Sequence, residues 1–394
     1  MEKVDKQSLP LRGEILTRGV VNIIPNKEKL EELLKSDKKI NVYLGIDPTA
    51  THIHLGNAVA LRKLQKFVEL GANVTFLIGD FTALIGDTSD KESERPVLTY
   101  EQIRENFKDY KKQASKILDF SKVKVKFNSE WLKKLTFEDI IKLSQNFSFG
   151  DFASRELVAK RLKSGKRVGL HEALYPIMQG YDSYFMDTDI QIGGADQTFN
   201  MQAGRALQKN LRNKQSYILV TGYLEGTDGR KMSKSWGNAI WLDDNPTDMF
   251  GKIMSIKDEL IITYFNLATN LNTNEIVEKE ERLKKDENPI NIKKELAFQI
   301  VKELYSTSYA MSARGNFDET FQQQKPTFEV IATNTGTVAG TIAPYTPLAS
   351  ISDAKRMITA GSVDVNGQRV TDPTFKTNSG DEIKIGKRNF IKVK

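Results

Sequence analysis

Two short stretches hold side chains whose types and spacing could act on anionic oxygens. The first is Val42-Tyr-Leu-Gly-Ile-Asp-Pro-Thr-Ala-Thr-His-Ile-His-Leu-Gly-Asn57, which puts Asp47, Thr49, His52 and His54 in one polar loop. The second is Lys231-Met-Ser-Lys-Ser235. A zinc site is excluded at the first stretch. The chain has no cysteine and three histidines, and the third, His171, lies far along the sequence, so a metal would need carboxylates placed by chance. The absence of cysteine also excludes disulfides and thiol catalysis. Taken alone, the first stretch is equally open to a plainer reading, in which its polar residues cap a helix.

The elements around the first stretch can be read from the pattern. Val42 to Ile46 is an apolar run ending at Asp47-Pro48, and proline, lacking an N–H, suits a strand end. Gly56 and Asn57 open a helical stretch over 58–70, with Leu61, Leu64 and Val68 on one face and Gly71 as its stop. A strand, a polar loop and a helix N-terminus follow one another. Such a terminus offers backbone N–H groups and a positive dipole end to a phosphate.

Further along, strands are predicted at 73–79, 123–128, 190–194 and 217–224, and helices at 100–120 and 199–209. Residues 136–186 read as mostly helical, 81–95 as a polar loop, and 1–40 as charged helix broken at Gly19 and Pro25. Strands separated by helices predict a Rossmann-like parallel sheet of the α/β class, with ligands at the carboxyl ends of its strands. From 246 to 322 the pattern is helical without a strand, and the stretch from 322 to 336 reads as a linker. The last part is α+β, with a helix at 352–360 stopped by Gly361 and a hairpin over Val363–Val370 turning at Asn366-Gly367. Short strands follow at 381–385 and 389–393. The predicted division is a catalytic domain at 1–228, the lysine loop with a helical domain at 229–322, a linker at 323–336 and a small domain at 337–394.

Composition agrees with a soluble protein of two or three domains: 394 residues, 39% hydrophobic and 28% charged. The net charge of +7 hints at a polyanionic partner. The charged start lacks the apolar core of a secretory signal. No apolar run approaches the roughly 18 residues that cross a bilayer, so a cytoplasmic protein without a membrane partner is expected.

With both stretches in view, the chain resembles class I aminoacyl-tRNA synthetases. His54-Leu-Gly-Asn57 looks like their histidine signature, with Asn57 where a second histidine is usual, and Lys231 to Ser235 matches their lysine signature in full. The C-terminal part resembles the S4 RNA-binding fold. The residues that carry this are Ser352-Asp-Ala-Lys-Arg-Met-Ile358, Gly361-Ser-Val-Asp-Val-Asn-Gly367 and Gly380-Asp-Glu-Ile-Lys-Ile-Gly-Lys-Arg388. Nine basic residues face five acidic ones from 352 on. Lys355, Arg356, Lys387 and Arg388 are the candidates for RNA phosphates, and a solvated charged face is the plainer alternative.

Within that class an S4-like module points to the tyrosyl family, and three further matches agree. Tyr43-x-Gly45-x-Asp47-Pro48-Thr49 matches its first strand. Tyr175, Gln179 and Asp182 match its Tyr-x3-Gln-x2-Asp helix. Gln191-Ile-Gly-Gly194-Ala-Asp196-Gln197 matches its second glycine turn. Positions 175, 179 and 182 share a helical face opposite Leu174, Ile177, Met178 and Tyr181, a face that geometry alone would turn to water. Pro176 predicts that Tyr175 precedes the helix.

The resemblance implies that the chain joins L-tyrosine to tRNA(Tyr) with ATP, through tyrosyl-adenylate. It implies that Tyr43 and Asp182 hold the substrate phenol, that Tyr175 and Gln179 bind its ammonium group, and that Asp87 and Gln197 help fix it. Thr49 and His54 would donate to ATP phosphate oxygens, with Asn57 in place of the second histidine, while Asp196 would accept from the ribose. Gly45, Asp47, Gly56 and Gly194 would border the nucleotide. Lys231, Lys234 and Ser235 would close over pyrophosphate, and Lys91 and Arg95 are mobile basic positions of the family. Mg2+ is expected on the ATP phosphates, with no protein ligand assigned. A homodimer is implied, with residues 131–170 as the place to look for its interface. The tryptophanyl enzyme, an inactive RNA-binding paralogue and a general S4-type RNA-binding protein are the competing readings, the last accounting only for the C-terminal part.

Overall fold

The structure is a computed structural model and describes residues 8–48, 51–85, 99–322, 328, 330–386 and 389–394. Thr49, Asp87, Lys91, Arg95, Lys387 and Arg388 lie outside these residues, as does the side chain of Ser235. The chain divides into two compact units. One holds residues up to 224 together with 241–243 and 266–268, and the other holds the remainder.

The first unit is built on a six-stranded sheet in the order β1-β6-β5-β2-β3-β4. Its strands are β1 (Val20–Ile24), β2 (Asn41–Ile46), β3 (Asn73–Ile78), β4 (Lys124–Phe127), β5 (Ile190–Gly194) and β6 (Tyr217–Thr221). All pairs are parallel except β1 with β6. Strand order runs outward in both directions from β2, so the crevice at the carboxyl ends of β2 and β5 is where a doubly wound sheet binds ligands. Helices α1 (Ser8–Thr17), α2 (Lys27–Lys35), α3 (Leu55–Glu69) and α4 (Tyr100–Ala114) come from the first part of the chain. The helices Leu170–Phe185 and Thr198–Arg212 come from the second part. Leu61, Leu64 and Phe67 of α3 and Phe76 of β3 are fully buried. Each such side chain contributes about 1.5–3 kcal/mol of burial free energy.

The predicted strands at 73–79, 123–128, 190–194 and 217–224 are all present. The first 40 residues differ from the helical expectation. Val-Val-Asn-Ile-Ile forms β1, an edge strand whose register is set by β6 some 200 residues later, and a local pattern does not register such a partner. Helix α4 ends at Ala114 and not at Phe120.

In the second unit, helices run from Pro246 to Phe317 without a strand among the described residues. They are followed by a five-stranded sheet in the order β7-β11-β10-β8-β9. These strands are β7 (Val330–Ala332), β8 (Val363–Val365), β9 (Gln368–Val370), β10 (Glu382–Ile385) and β11 (Asn389–Val393). The predicted hairpin turns at Asn366 and Gly367, with φ of +50° and +81°, which is the backbone a two-residue turn of this twist requires. β7 falls inside the stretch read as a linker and pairs parallel to β11. The helix Ile351–Thr359 packs against this sheet through Ala354 and Ile358, and Gly361 ends it with a positive φ.

Candidate active site

The polar residues of the first unit converge at the carboxyl ends of β2, β3, β4 and β5. The helix Leu170–Phe185 contains Tyr175 and is not interrupted at Pro176. Its start is fixed upstream by Glu172, which accepts from the Gly169 N–H at 2.8 Å and pairs with Arg161 at 2.7 Å. That anchoring overrides the local preference of the residue before proline. The face carrying Tyr175 and Asp182 points inward, with the two residues 8% and 2% exposed, and Gln179 on the same face is half-buried.

Asp182 has both oxygens engaged. Trp131 Nε1 donates to Oδ1 at 2.7 Å and Asn128 Nδ2 donates to Oδ2 at 3.1 Å. Asn128 also donates to Thr82 Oγ1 at 3.0 Å. Thr82 in turn donates to Asp47 Oδ1 at 2.8 Å, and Tyr175 donates to Asp47 Oδ2 at 2.8 Å. The tyrosine-site and nucleotide-site candidates are thus joined in one network through Asp47. Burial pushes the Asp182 carboxyl up to about 8. The Asn128 and Trp131 donors oppose this shift, and the nearby Asp47 and Asp80 carboxylates reinforce it.

Tyr43 on β2 lies beside Gln191 on β5 in register, and its hydroxyl donates to Gln191 Oε1 at 3.1 Å. Burial, and then the charge of Asp182, hold this phenol protonated well above its usual range. Gln191 Nε2 donates to Met201 O at 2.9 Å, which fixes the amide orientation. Gly204 makes this possible, because a Cβ there would lie 2.7 Å from Gln191 Oε1. In the turn after β5, Gln197 Oε1 accepts from Asn200 at 3.2 Å, and Asp196 lies between Gly194 and Gln197.

His54 is the N-cap of α3. Its Nδ1 accepts from Asn57 N–H at 3.2 Å, and Asn57 Oδ1 accepts from His54 N–H at 3.4 Å. The sequence leaves open a capping role and a phosphate role, and the geometry allows both. With Nδ1 accepting, the neutral ring carries its proton on Nε2, and the Asn57 amide nitrogen keeps its donors. Gly56 lies in the first turn of the same helix. His52 Nδ1 lies 2.7 Å from Asp243 Oδ2, and both histidine rings lie within 6 Å of the Trp241 ring.

In the second unit, Lys231 to Ser235 form an exposed turn over a fixed base. Lys231 and Lys234 are exposed, while Met232 is 3% exposed. Asn238 is buried beneath them. Its Oδ1 accepts from Ser233 N–H at 2.9 Å and its Nδ2 donates to Asp228 Oδ1 at 2.7 Å. Asp228 also accepts from Arg230, whose guanidinium stacks 4.5 Å from the Trp236 ring centroid. Against the opposing effect of burial, the Asn238 and Arg230 donors bring Asp228 down to about 2. Gly226 is obligatory here, since a Cβ would lie 2.4 Å from Asn238 O.

Of the RNA candidates, Lys355 is exposed on its helix, and Arg356 pairs with Asp353 at 2.5 Å. Sequence reasoning missed Asn128, Trp131, Gln191 and Asn238 as site residues. Gln191 had a usable signal, being a polar residue inside the apolar strand Ile-Gln-Ile.

The sheet, its switch point and the two signatures define a class I aminoacyl-tRNA synthetase, and comparison with known proteins agrees. Residues 35–322 match the family model for class I tRNA synthetases of the tryptophan and tyrosine group, and residues 346–383 match the S4 domain. The tyrosine–tRNA ligase of Carboxydothermus hydrogenoformans is 42% identical, covering 96% of this chain and 97% of its own. That of Thermotoga maritima is 39% identical, covering 96% of each. A truncated mitochondrial tyrosyl-tRNA synthetase from Aspergillus nidulans shares the fold at a TM-score of 0.67. It covers 79% of this chain and 94% of its own at 20% identity. The chain belongs to the tyrosine–tRNA ligase family.

Proposed function

We propose that the protein activates L-tyrosine with ATP, releasing pyrophosphate, and passes the tyrosyl group to the 3′-terminal ribose of tRNA(Tyr). The observation that carries this is the buried Asp182 carboxylate, fixed by Trp131 and Asn128 in the same crevice as the Tyr43 hydroxyl. Such a pair suits a phenol, which can donate to the carboxylate and accept from Tyr43 once the Tyr43 hydroxyl turns to it from Gln191. Phenylalanine offers neither bond, so Asp182 and Tyr43 would keep only their protein partners Trp131, Asn128 and Gln191, and the gain from the phenol would be lost. Tyrosyl enzymes are themselves the established example of this discrimination, with a preference of about 10⁵ and no editing.

The amino-acid carboxylate is ionised near neutral pH and attacks the α-phosphorus without a general base. Catalysis then consists of positioning and charge stabilisation. His54 Nε2–H and Thr49 donate to phosphate oxygens, the Asn57 amide does so beside them, and Asp196 accepts from the ribose. Tyr175, Gln179, Asp87 and Gln197 set the amino acid, with Gly45, Asp47, Gly56 and Gly194 bordering the nucleotide. Lys231, Lys234, Ser235, Lys91 and Arg95 stabilise the departing pyrophosphate.

Mg2+ arrives on the ATP phosphates. Phosphate oxygens and water would supply most of its ligands, so no residue is assigned to it and no step runs through it. Lys355, Arg356, Lys387 and Arg388 meet RNA phosphates from the part of the chain after 337, and residues 229–322 take the anticodon side. A homodimer fits the exposed Phe137, Phe149 and Leu170, which are 66–80% exposed within the 131–170 region and its boundary. No described helix is long and apolar enough to cross a membrane, and a cytoplasmic location fits the proposed reaction.

Pyrophosphate exchange into ATP, with tyrosine, tryptophan or phenylalanine supplied in turn and no tRNA, tests the proposal. Exchange with tyrosine alone is expected. Exchange with tryptophan alone, or with none of the three in folded protein, would sink it.

A further inference from the structure

The loop that leads into His54 is held from the side by α4. Asn106 Nδ2 donates to Pro48 O at 2.9 Å. Two turns further along the same helix face, Gln113 is 5% exposed and spends its whole side-chain amide on the same loop and its own helix. Its Oε1 accepts from Ile53 N–H at 2.8 Å, and its Nε2 donates to Thr51 O at 2.7 Å and to Asp109 O at 3.3 Å. The amide therefore pairs with residues 51 and 53 as a neighbouring strand would. The opposite edge of the loop is paired as well. Leu242 N–H donates to Ile53 O at 2.8 Å, Trp241 bridges to His54, and Lys116 Nζ donates to Leu242 O at 2.5 Å.

We propose that Gln113 is the positioning residue for His54, acting through the backbone of Thr51 and Ile53. This rests on the phosphate role of His54 in the proposed function. The Nδ1 atom of that ring is bonded to the backbone of Asn57, so the direction of Nε2 follows the backbone at 53–54 and the start of α3. Gln113 defines that backbone. A buried amide at this depth is costly unless fully bonded, and here both of its ends are used on the loop. Without it, the Ile53 N–H and the Thr51 carbonyl lose their partners and the loop relaxes. A shift of about 1 Å at a positioned group costs roughly 10²-fold in rate.

The test is Gln113→Met, which keeps length and volume and removes both hydrogen-bonding ends. Pyrophosphate exchange is measured in the full chain with tyrosine and ATP, alongside tyrosine affinity by calorimetry. The kcat is expected to fall roughly 30- to 100-fold. Tyrosine affinity should stay within about twofold, because Asp182 and Tyr43 share no partner with Gln113. The decisive measurement repeats the substitution in a His54→Ala background. If Gln113 acts through His54, kcat there changes by less than about threefold. The same fold-loss in both backgrounds, or a lower Tm with unchanged kcat per active site, would overturn the inference. If Gln113→Met does not fold, Asn106→Ala removes the bond at the other end of the clamp and carries the same cycle, with a loss of about fivefold expected and the same two overturning results. An unaltered chain that shows no tyrosine-dependent exchange would overturn the proposed function, and this inference with it. Exchange by the unaltered chain with an unaffected Gln113→Met overturns this inference alone.

Discussion

In the first unit the Asp182 carboxylate is 2% exposed, with Trp131 and Asn128 on its two oxygens and a chain of hydrogen bonds running on to Asp47 and Tyr175. In the second, Lys231 and Lys234 stand exposed on a turn whose base is fixed by Asn238 and Met232. Both regions are polar, but in the proposed reaction they would meet different demands. A site that must tell one hydroxyl from none needs its groups dry, fully bonded and unable to adjust. Cations that must follow a leaving group need a firm root and an adjustable tip. Selection and rate should therefore be separable in this chain, and substitutions in each region can break or sharpen that separation.

The largest effect is expected at Asp182. In Asp182→Asn the ionised form that would accept the substrate phenol in the proposed complex is lost, and one of the two fixed donors faces an amide donor. A hydrogen bond to a charged group contributes about 1.5–3 kcal/mol, and a buried unpaired group costs about 1–3 more, so kcat/KM for tyrosine should fall roughly 10³-fold. Exchange kinetics at saturating ATP read this directly. A loss confined to kcat, with tyrosine affinity intact, would break the assignment of this region to selection.

Lys234→Ala removes one exposed cation. Loss of a single donor to developing charge costs about 10²- to 10³-fold in kcat, and the exposed setting places the expectation near the lower end. Tyrosine affinity, measured without ATP, should not move. A weakened tyrosine affinity would show that the two regions are not separable.

A smaller, graded effect is expected with pH. In the ligand-free protein burial holds Asp182 protonated up to about 8. In the proposed complex the substrate phenol would donate to the carboxylate, so binding would select the ionised form. Tyrosine affinity should therefore rise with pH by up to about tenfold per unit below 8 and level off above it. The contribution to stability has the opposite sign. Because the folded value is raised above the ordinary 3.8, the folded state holds the extra proton. That stability is full below 3.8 and is lost as pH rises through about 8. Calorimetric titration between pH 6 and 9 checks the affinity, and Asp182→Asn should flatten it.

Much of this architecture is legible in the amino-acid sequence. The strand, loop and helix around His54 follow from an apolar run, a proline and a glycine stop, each acting within a few residues. The Asn366-Gly367 hairpin follows from turn chemistry alone. What escapes the sequence has one physical cause. Strands β1 and β7 are created by partners far away in the chain, β6 and β11. The side chains of Gln113, Asn128, Gln191 and Asn238 are ordinary polar residues until the fold buries them. Tyr175 is misplaced by the rule for residues before proline because that rule is local, whereas the helix containing it is anchored upstream at Glu172 by Arg161.

The smallest effect sharpens the contrast between the two regions most. Asn238 touches no substrate group in the proposed reaction, yet it holds the root of the lysine turn by bonds to Ser233 and Asp228. Asn238→Ala should cost about 1–3 kcal/mol of stability. It should also lower kcat severalfold, less than Lys234→Ala, because the lysines remain but are presented over a wider range of positions. Asn238→Asp keeps the acceptor for Ser233 and sets a second carboxylate against Asp228, which is ionised because its donors hold it near 2. The aspartate variant should therefore be the weaker of the two in both Tm and kcat at neutral pH. If it instead restored kcat to the wild-type value, the Asp228 contact would be irrelevant and the bond to Ser233 alone would root the turn.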